Sequence, residues 1–152
     1  MFTRILFPTD FSDVSDLAAA YIHKLREAGA QDVLVLNVID PSSLMAPAAP
    51  GPLGGVGATP AMNRRAVEEW RESATEACGR LADEFSDVGF TATAAVEVGD
   101  PAHVILRTAR AESCNVIVVG AHGKGHVAEF FLGSVSDEVV RKSHIPVLVI
   151  KP

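Results

Sequence analysis

Cysteine is scarce in this chain: 152 residues hold only Cys78 and Cys114, far apart and in no metal-type spacing. That excludes a disulfide scaffold and a cysteine-rich zinc site, and two reduced thiols are expected. Basic charge is in deficit, with 13 Lys and Arg against 19 Asp and Glu and a net charge of -6. A broad nucleic-acid contact, which needs a basic face, is excluded on that ground. No apolar run approaches the roughly 18 residues of a membrane span. The opening MFTRILFPTD lacks the long apolar core and cleavage site of a secretory signal, so a cytoplasmic protein is expected.

What the chain does contain is the composition of a globular domain, 48% apolar and 21% charged. Its length predicts one domain over residues 1–152, large enough to bury a core. RILFPTD is a short apolar run closed by Pro8, as in a buried strand. The following helical stretch places Val14, Leu17, Ala18, Tyr21, Ile22 and Leu25 on one face, with Ser12 or Asp13 as cap and Gly29 at its end. VLVLNVI, residues 33–39, is a second strand, and its near-continuous apolar character points to a sheet covered on both faces.

Residues 41–60, PSSLMAPAAPGPLGGVGATP, are rich in Pro, Gly and Ala and are read as a mobile loop. A lid over a ligand is one reading; a tolerated surface insertion is the preferred one. Helix-spaced apolar groups return at Ala66, Trp70, Ala74, Ala77, Leu81 and Phe85 over residues 61–86. A third strand is expected over about 89–98, where Val96 and Val98 alternate with Glu97. Asp100 then caps a helix with Pro101 in its first turn. NVIVVG is the fourth strand, a fourth helix follows Ser134, and IPVLVIK is the fifth strand. Strict β-α alternation of this kind makes a doubly wound five-stranded parallel sheet with helices on both faces, a Rossmann-like α/β fold.

In such folds ligands lie beyond the carboxyl ends of the strands. Three segments occupy those ends: PTD (8–10), NVID (37–40) and GAHGKGHVAEFFLGS (120–134). Gly120 and Gly123 let backbone N–H groups approach an anion, and Gly133 with Ser134 opens a helix whose free N–H groups favour a phosphate. Ser134 with Asp137 also has capping-box spacing, a purely structural alternative. A Walker A loop does not fit, because Lys124 is followed by Gly125 rather than Ser or Thr. The Rossmann glycine fingerprint does not fit either, since this loop follows the fourth strand. His122 and His126 have no third metal-type neighbour in sequence and are read as solvated loop histidines. Phe130 and Phe131 are expected to anchor the loop or cover the site.

The pattern Gly120-x2-Gly123-x9-Gly133-Ser134, together with PTD at the end of the first strand, resembles the ATP-binding branch of the universal stress protein family. The tail LGSVSDEVVRKSHIPVLVIK is similar to that family's C-terminal segment, and the likeness runs along essentially the whole chain. The resemblance implies that Asp10 contacts the ribose or adenine side of a nucleotide, with Pro8 and Thr9 as the adjoining wall. It implies that the Val38 backbone pairs with the adenine edge and that Val119 lines the base pocket. Gly120, Gly123, Gly133, Ser134 and Val135 would surround ribose and phosphates, and Lys124 would supply a cation. Each position also has a plain reading: Asp10 as a helix cap, Val38 and Val119 as core.

One lysine cannot neutralise a triphosphate, so Mg²⁺ is expected with ATP. No lysine-hydroxyl pair, arginine finger or evident general base for phosphoryl transfer is found. The expectation is therefore no catalytic residue and no resident metal. The family resemblance allows weak ATP hydrolysis at most, in a nucleotide-dependent switch or stress-tolerance factor. The alternative is a partner-binding module of the same fold that does not use nucleotide. The resemblance also implies a homodimer joined through the last strand, whose apolar edge invites association.

Overall fold

Strands and helices alternate without exception in the computed structural model, which describes residues 2–44, 60–122 and 132–152. In chain order they are β1 (Arg4–Pro8), α1 (Asp13–Glu27), β2 (Asp32–Ile39), α2 (Pro60–Asp87) and β3 (Thr91–Val98). Then follow α3 (Pro101–Ala111), β4 (Val116–Gly120), α4 (Ser134–Lys142) and β5 (Val147–Ile150). The sheet order is β3-β2-β1-β4-β5, and every pairing is parallel.

The chain winds outward from β1 to β3, then crosses back to β4 and on to β5. α1 and α2 cover one face of the sheet, α3 and α4 the other. Strand alternation divides the core accordingly. Ile5, Phe7, Val33, Val35, Val116 and Val118 point to the α1/α2 side. Leu6, Leu34, Leu36, Ile117 and Val119 point to the α3/α4 side. This two-sided burial is why the strands read as unbroken apolar runs. Among the described residues, no helix is long and apolar enough to cross a membrane.

Helix ends follow local chemistry. Ser12 is the N-cap of α1 and accepts from the Ser15 N–H at 3.4 Å. Gly29 takes the left-handed φ of +96° just past its end, where a Cβ would be strained. Asp100 caps α3 by accepting from the His103 N–H at 2.8 Å, and Pro101 occupies the first turn, as its fixed φ favours. Cys78 and Cys114 are free and buried. Burial pushes the Cys78 thiol up to about 11, against a smaller lowering by a backbone hydrogen bond at Asn37.

Several expectations are corrected. Tyr21 is exposed, whereas Ala18 and Ile22 of the expected face are buried, with Leu17 and Leu25 packed partly buried beside them. Ser15 and Ala19 join that face, rotating it toward small residues that allow close packing. Val98 is exposed because β3 is an edge strand near its end. α2 begins at Pro60, and Pro41–Leu44 form a 3₁₀ turn, so both ends of the expected 41–60 loop carry regular structure. The remainder of that segment, 45–59, lies outside the described residues. Trp70 is exposed rather than core, for a reason taken up below.

Candidate functional site

The direction of winding changes between β1 and β4, and the crevice beyond their carboxyl ends is where such a sheet can hold a ligand. A cavity of about 740 Å³ lies there. It is lined by residues from the PTD, NVID and glycine-loop segments, together with α2 and the start of α3. Three stretches distant in sequence are thereby brought together, as the strand-end argument expects.

The first wall is built at the end of β1. Thr9 is buried, its N–H donates to the Leu36 carbonyl at 2.9 Å, and its hydroxyl accepts from the Phe11 N–H at 3.0 Å. Phe11 is held at φ 57°, a left-handed conformation that costs a non-glycine residue about 1–2 kcal/mol. Asp10 Oδ1 accepts from the Ser12 N–H (3.1 Å), the Ser12 hydroxyl (2.6 Å) and the Ser15 hydroxyl (2.8 Å). Asp10 is thus not the N-cap of α1; it braces the cap residue and the first turn, and it faces the cavity with Pro8.

Asn37 matters more than its place as a break in an apolar run suggests. Its side-chain amide donates to the Thr9 carbonyl at 2.8 Å and ties the end of β1 to β2. The sequence signal was present, since a polar residue inside a buried strand needs a partner.

Beside Asn37, β2 outruns β1: their register ends at Pro8 and Leu36. The Leu36 carbonyl turns toward β1, so alternation along a parallel ladder turns the Val38 N–H and C=O the same way. At Val38 the neighbouring strand has ended, and this donor-acceptor pair opens on the cavity that Val38 lines. The Val38 and Val119 side chains pack into the α3/α4-side core.

The second wall joins the end of β4 to the start of α4. Ala121 N–H donates to the Ile150 carbonyl, and Gly133 N–H donates to the Ala121 carbonyl, both at 2.7 Å. Gly133 is consequently the N-cap of α4, with φ -61° and ψ 153°, and its own N–H is already engaged. The expected Ser134–Asp137 capping box does not form. Ser134 lies one position inside the helix, and Asp137 pairs with Arg141 at 2.7 Å.

The N–H groups of Ser134, Val135 and Ser136 precede the first intrahelical bond, from Asp137 N–H to the Gly133 carbonyl. They are the free donors at the positive end of the helix dipole. Ser136, which sequence reading passed over, is buried and donates its hydroxyl to the Gly120 carbonyl at 2.7 Å. Gly120 itself sits against α1, where a Cβ would meet Val14 Cγ1 at 3.0 Å.

His122 is not a solvated loop residue: it is 8% exposed and lines the cavity. Ala121 just before it is still tied to β5, which keeps the chain inside at this point. Its Nε2 is buried without a hydrogen-bond partner among the described residues. An unpaired buried polar atom costs about 1–3 kcal/mol. Gly123, Lys124, His126, Glu129, Phe130 and Phe131 lie outside the described residues. Among the described residues, no group of three His, Cys, Asp or Glu could hold a metal, and no Lys or Arg lines the cavity.

Comparison with known proteins gives the family and the fold. A sequence model of the universal stress protein family matches residues 1–151. Universal stress protein MJ0577 of Methanocaldococcus jannaschii is 33% identical, over 99% of this chain and 96% of its own length. The structure solved for MJ0577 superposes with a TM-score of 0.86 at 30% identity, covering 100% of this chain and 97% of that one. Two more distant structures share the fold. A universal stress protein in complex with cAMP has TM-score 0.61 at 20% identity, over 99% of this chain and 97% of its own. A family member from Arabidopsis thaliana with AMP bound has TM-score 0.66 at 18% identity, over 98% and 91%.

Proposed function

This chain belongs to the universal stress protein family, and from that premise we propose that it binds an adenine nucleotide, ATP foremost, in the β1/β4 crevice. One observation carries the reading. The Val38 backbone pair opens on one side of the cavity and the free N–H groups of α4 stand on the other. A donor-acceptor pair suits the polar edge of a flat base, and a helix N-terminus suits phosphate. A base and a phosphate on one molecule make a nucleotide. The cavity volume falls in the usual range of about 300–1,000 Å³ for such sites. AMP and cAMP, held by two proteins of this fold, support the same ligand class.

Asp10, Pro8 and Thr9 would flank the sugar, while Ser134 and Val135 with Gly120 and Gly133 would surround the phosphates. Asp10 and Asp40 bring two carboxylates to the cavity wall. A triphosphate would therefore enter with Mg²⁺ held chiefly by its own oxygens, as that ion commonly is. Lys124 would add charge on the same loop. The proposed role is a nucleotide-dependent switch or stress-tolerance factor, with weak hydrolysis at most.

Calorimetry on protein stripped of co-purified nucleotide tests this directly. Saturable MgATP binding near one site per chain is expected. No binding by the folded protein would instead favour a partner-binding module that keeps the glycines as structural inheritance.

The proposed assembly is a homodimer through β5. Among the described residues that strand is a sheet edge, paired only with β4, and Leu148 on it and Val140 on α4 are exposed. An open apolar edge invites pairing. Sedimentation at micromolar concentration is expected to give a dimer, and a monomer there rules the interface out.

A further inference from the structure

α2 is longer than the sheet it covers. Its 28 residues span about 42 Å at 1.5 Å each, against about 26 Å for the 8 residues of β3. A short turn, with Phe90 N–H bonded to the Phe85 carbonyl, sets the C-terminal end of α2 at the start of β3. The excess, about ten residues, therefore projects past the carboxyl edge of the strands.

Burial along the helix agrees. Ala74, Cys78, Ala82 and Phe85 are buried, whereas Arg64, Arg65 and the run Glu68–Ser73 are exposed. Trp70 stands one turn before Ala74 on the same stripe, as residues four apart do. It faces the way the core residues face, but the sheet beneath them has ended. Below Trp70 lies the cavity, which α2 lines with Trp70, Ser73, Ala74 and Ala77, positions spaced as one helical face. A large aromatic that is 46% exposed among charged neighbours is therefore placed over the crevice, not in the core.

We propose that Trp70 is the aromatic surface on which the base of the bound ligand rests, and that it makes the site selective for a flat heterocycle. This rests on the reading of the crevice as a nucleotide site and assigns its base-side wall to α2. The indole offers a π-face to any base, and removing such a face weakens binding roughly five- to 150-fold where bases stack on aromatic side chains. Val38 would then address the edge of the base while Trp70 addresses its face.

Trp70 is the chain's single tryptophan, so its emission reports contact without a label. MgATP binding is measured by calorimetry and by tryptophan emission for the wild type, Trp70→Ala and Trp70→Phe. Thermal unfolding serves as the fold control; an exposed position should leave it unchanged. The expected results are a change in wild-type emission on binding, roughly fivefold or more weaker binding by Trp70→Ala, and near-wild-type binding by Trp70→Phe. Unchanged affinity in Trp70→Ala overturns the proposal and leaves the nucleotide site standing. Equal losses in both variants also overturn it, because side-chain bulk rather than an aromatic face is then what matters. A folded wild type that binds no adenine nucleotide removes both readings together.

Discussion

Gly120→Val is expected to destabilise the protein by about 3 kcal/mol or more, since inserted methyl groups in a packed interior cost about 1–3 kcal/mol and steric conflict with backbone adds to that. Gly120 is the last residue of β4 and is buried. A Cβ built there would lie 3.0 Å from Val14 Cγ1, 3.3 Å from the Val14 carbonyl carbon and 3.4 Å from Val14 Cβ. The side-chain methyl can turn aside. The carbonyl carbon cannot, because it belongs to the first turn of α1, braced by Asp10 and Ser12. Alanine at this position should therefore cost about 1 kcal/mol, and valine, with two further methyl groups, substantially more.

For a chain of this size each kcal/mol lowers the melting temperature by about 2–4 °C, so a fall of roughly 6–12 °C is expected for valine. Thermal unfolding followed by circular dichroism measures it, and an unchanged midpoint would contradict the packing account. The damage should spread. The Gly120 carbonyl accepts from the Ser136 hydroxyl, so a displaced β4 end also moves the first turn of α4, where phosphate would be held.

This glycine illustrates what sequence reading delivers and where it stops. A glycine after an apolar run marks a close approach, but the approaching group could be a ligand phosphate or another part of the chain. For Gly120 a helix of the protein itself already makes that approach. The strands were legible because Leu6 and Phe7, or Val118 and Val119, serve opposite faces and must both be apolar. Asp100-Pro101 was legible because a cap and a fixed φ are local chemistry.

Trp70 was misplaced for a non-local reason: periodicity locates the stripe on α2 but not the point where the sheet beneath it ends. The capping box failed in the same way. Ser134 and Asp137 have the right spacing, yet the hydrogen bond from Gly133 to Ala121 sets the helix start one residue earlier. His122 looked solvated because its neighbours in sequence are glycines and polar residues. Its burial follows from β5, whose Ile150 carbonyl holds Ala121 in the sheet.

Gly133→Val should give the opposite phenotype to Gly120→Val, an intact fold with the nucleotide lost. At φ -61° and ψ 153° the residue occupies extended backbone open to any side chain, so valine meets no conformational barrier. Its N–H bond to the Ala121 carbonyl and its carbonyl bond from the Asp137 N–H are backbone contacts that valine retains. Glycine at an N-cap is better than valine, so a loss of about 1 kcal/mol in stability is allowed for. Binding is another matter. Residue 133 lines the cavity directly before the free N–H groups of Ser134 and Val135, and a branched Cβ there stands in the approach to them. Each hydrogen bond to a charged group contributes about 1.5–3 kcal/mol. Forfeiting two would weaken ATP by roughly 100-fold or more. Calorimetry beside a thermal melt separates the two glycines: one variant loses the fold's margin, the other its ligand. Gly133→Ser, with a small unbranched side chain, should fall between valine and wild type. If the valine variant folds and binds MgATP as the parent does, the phosphates lie elsewhere and the N-terminus of α4 is structural alone.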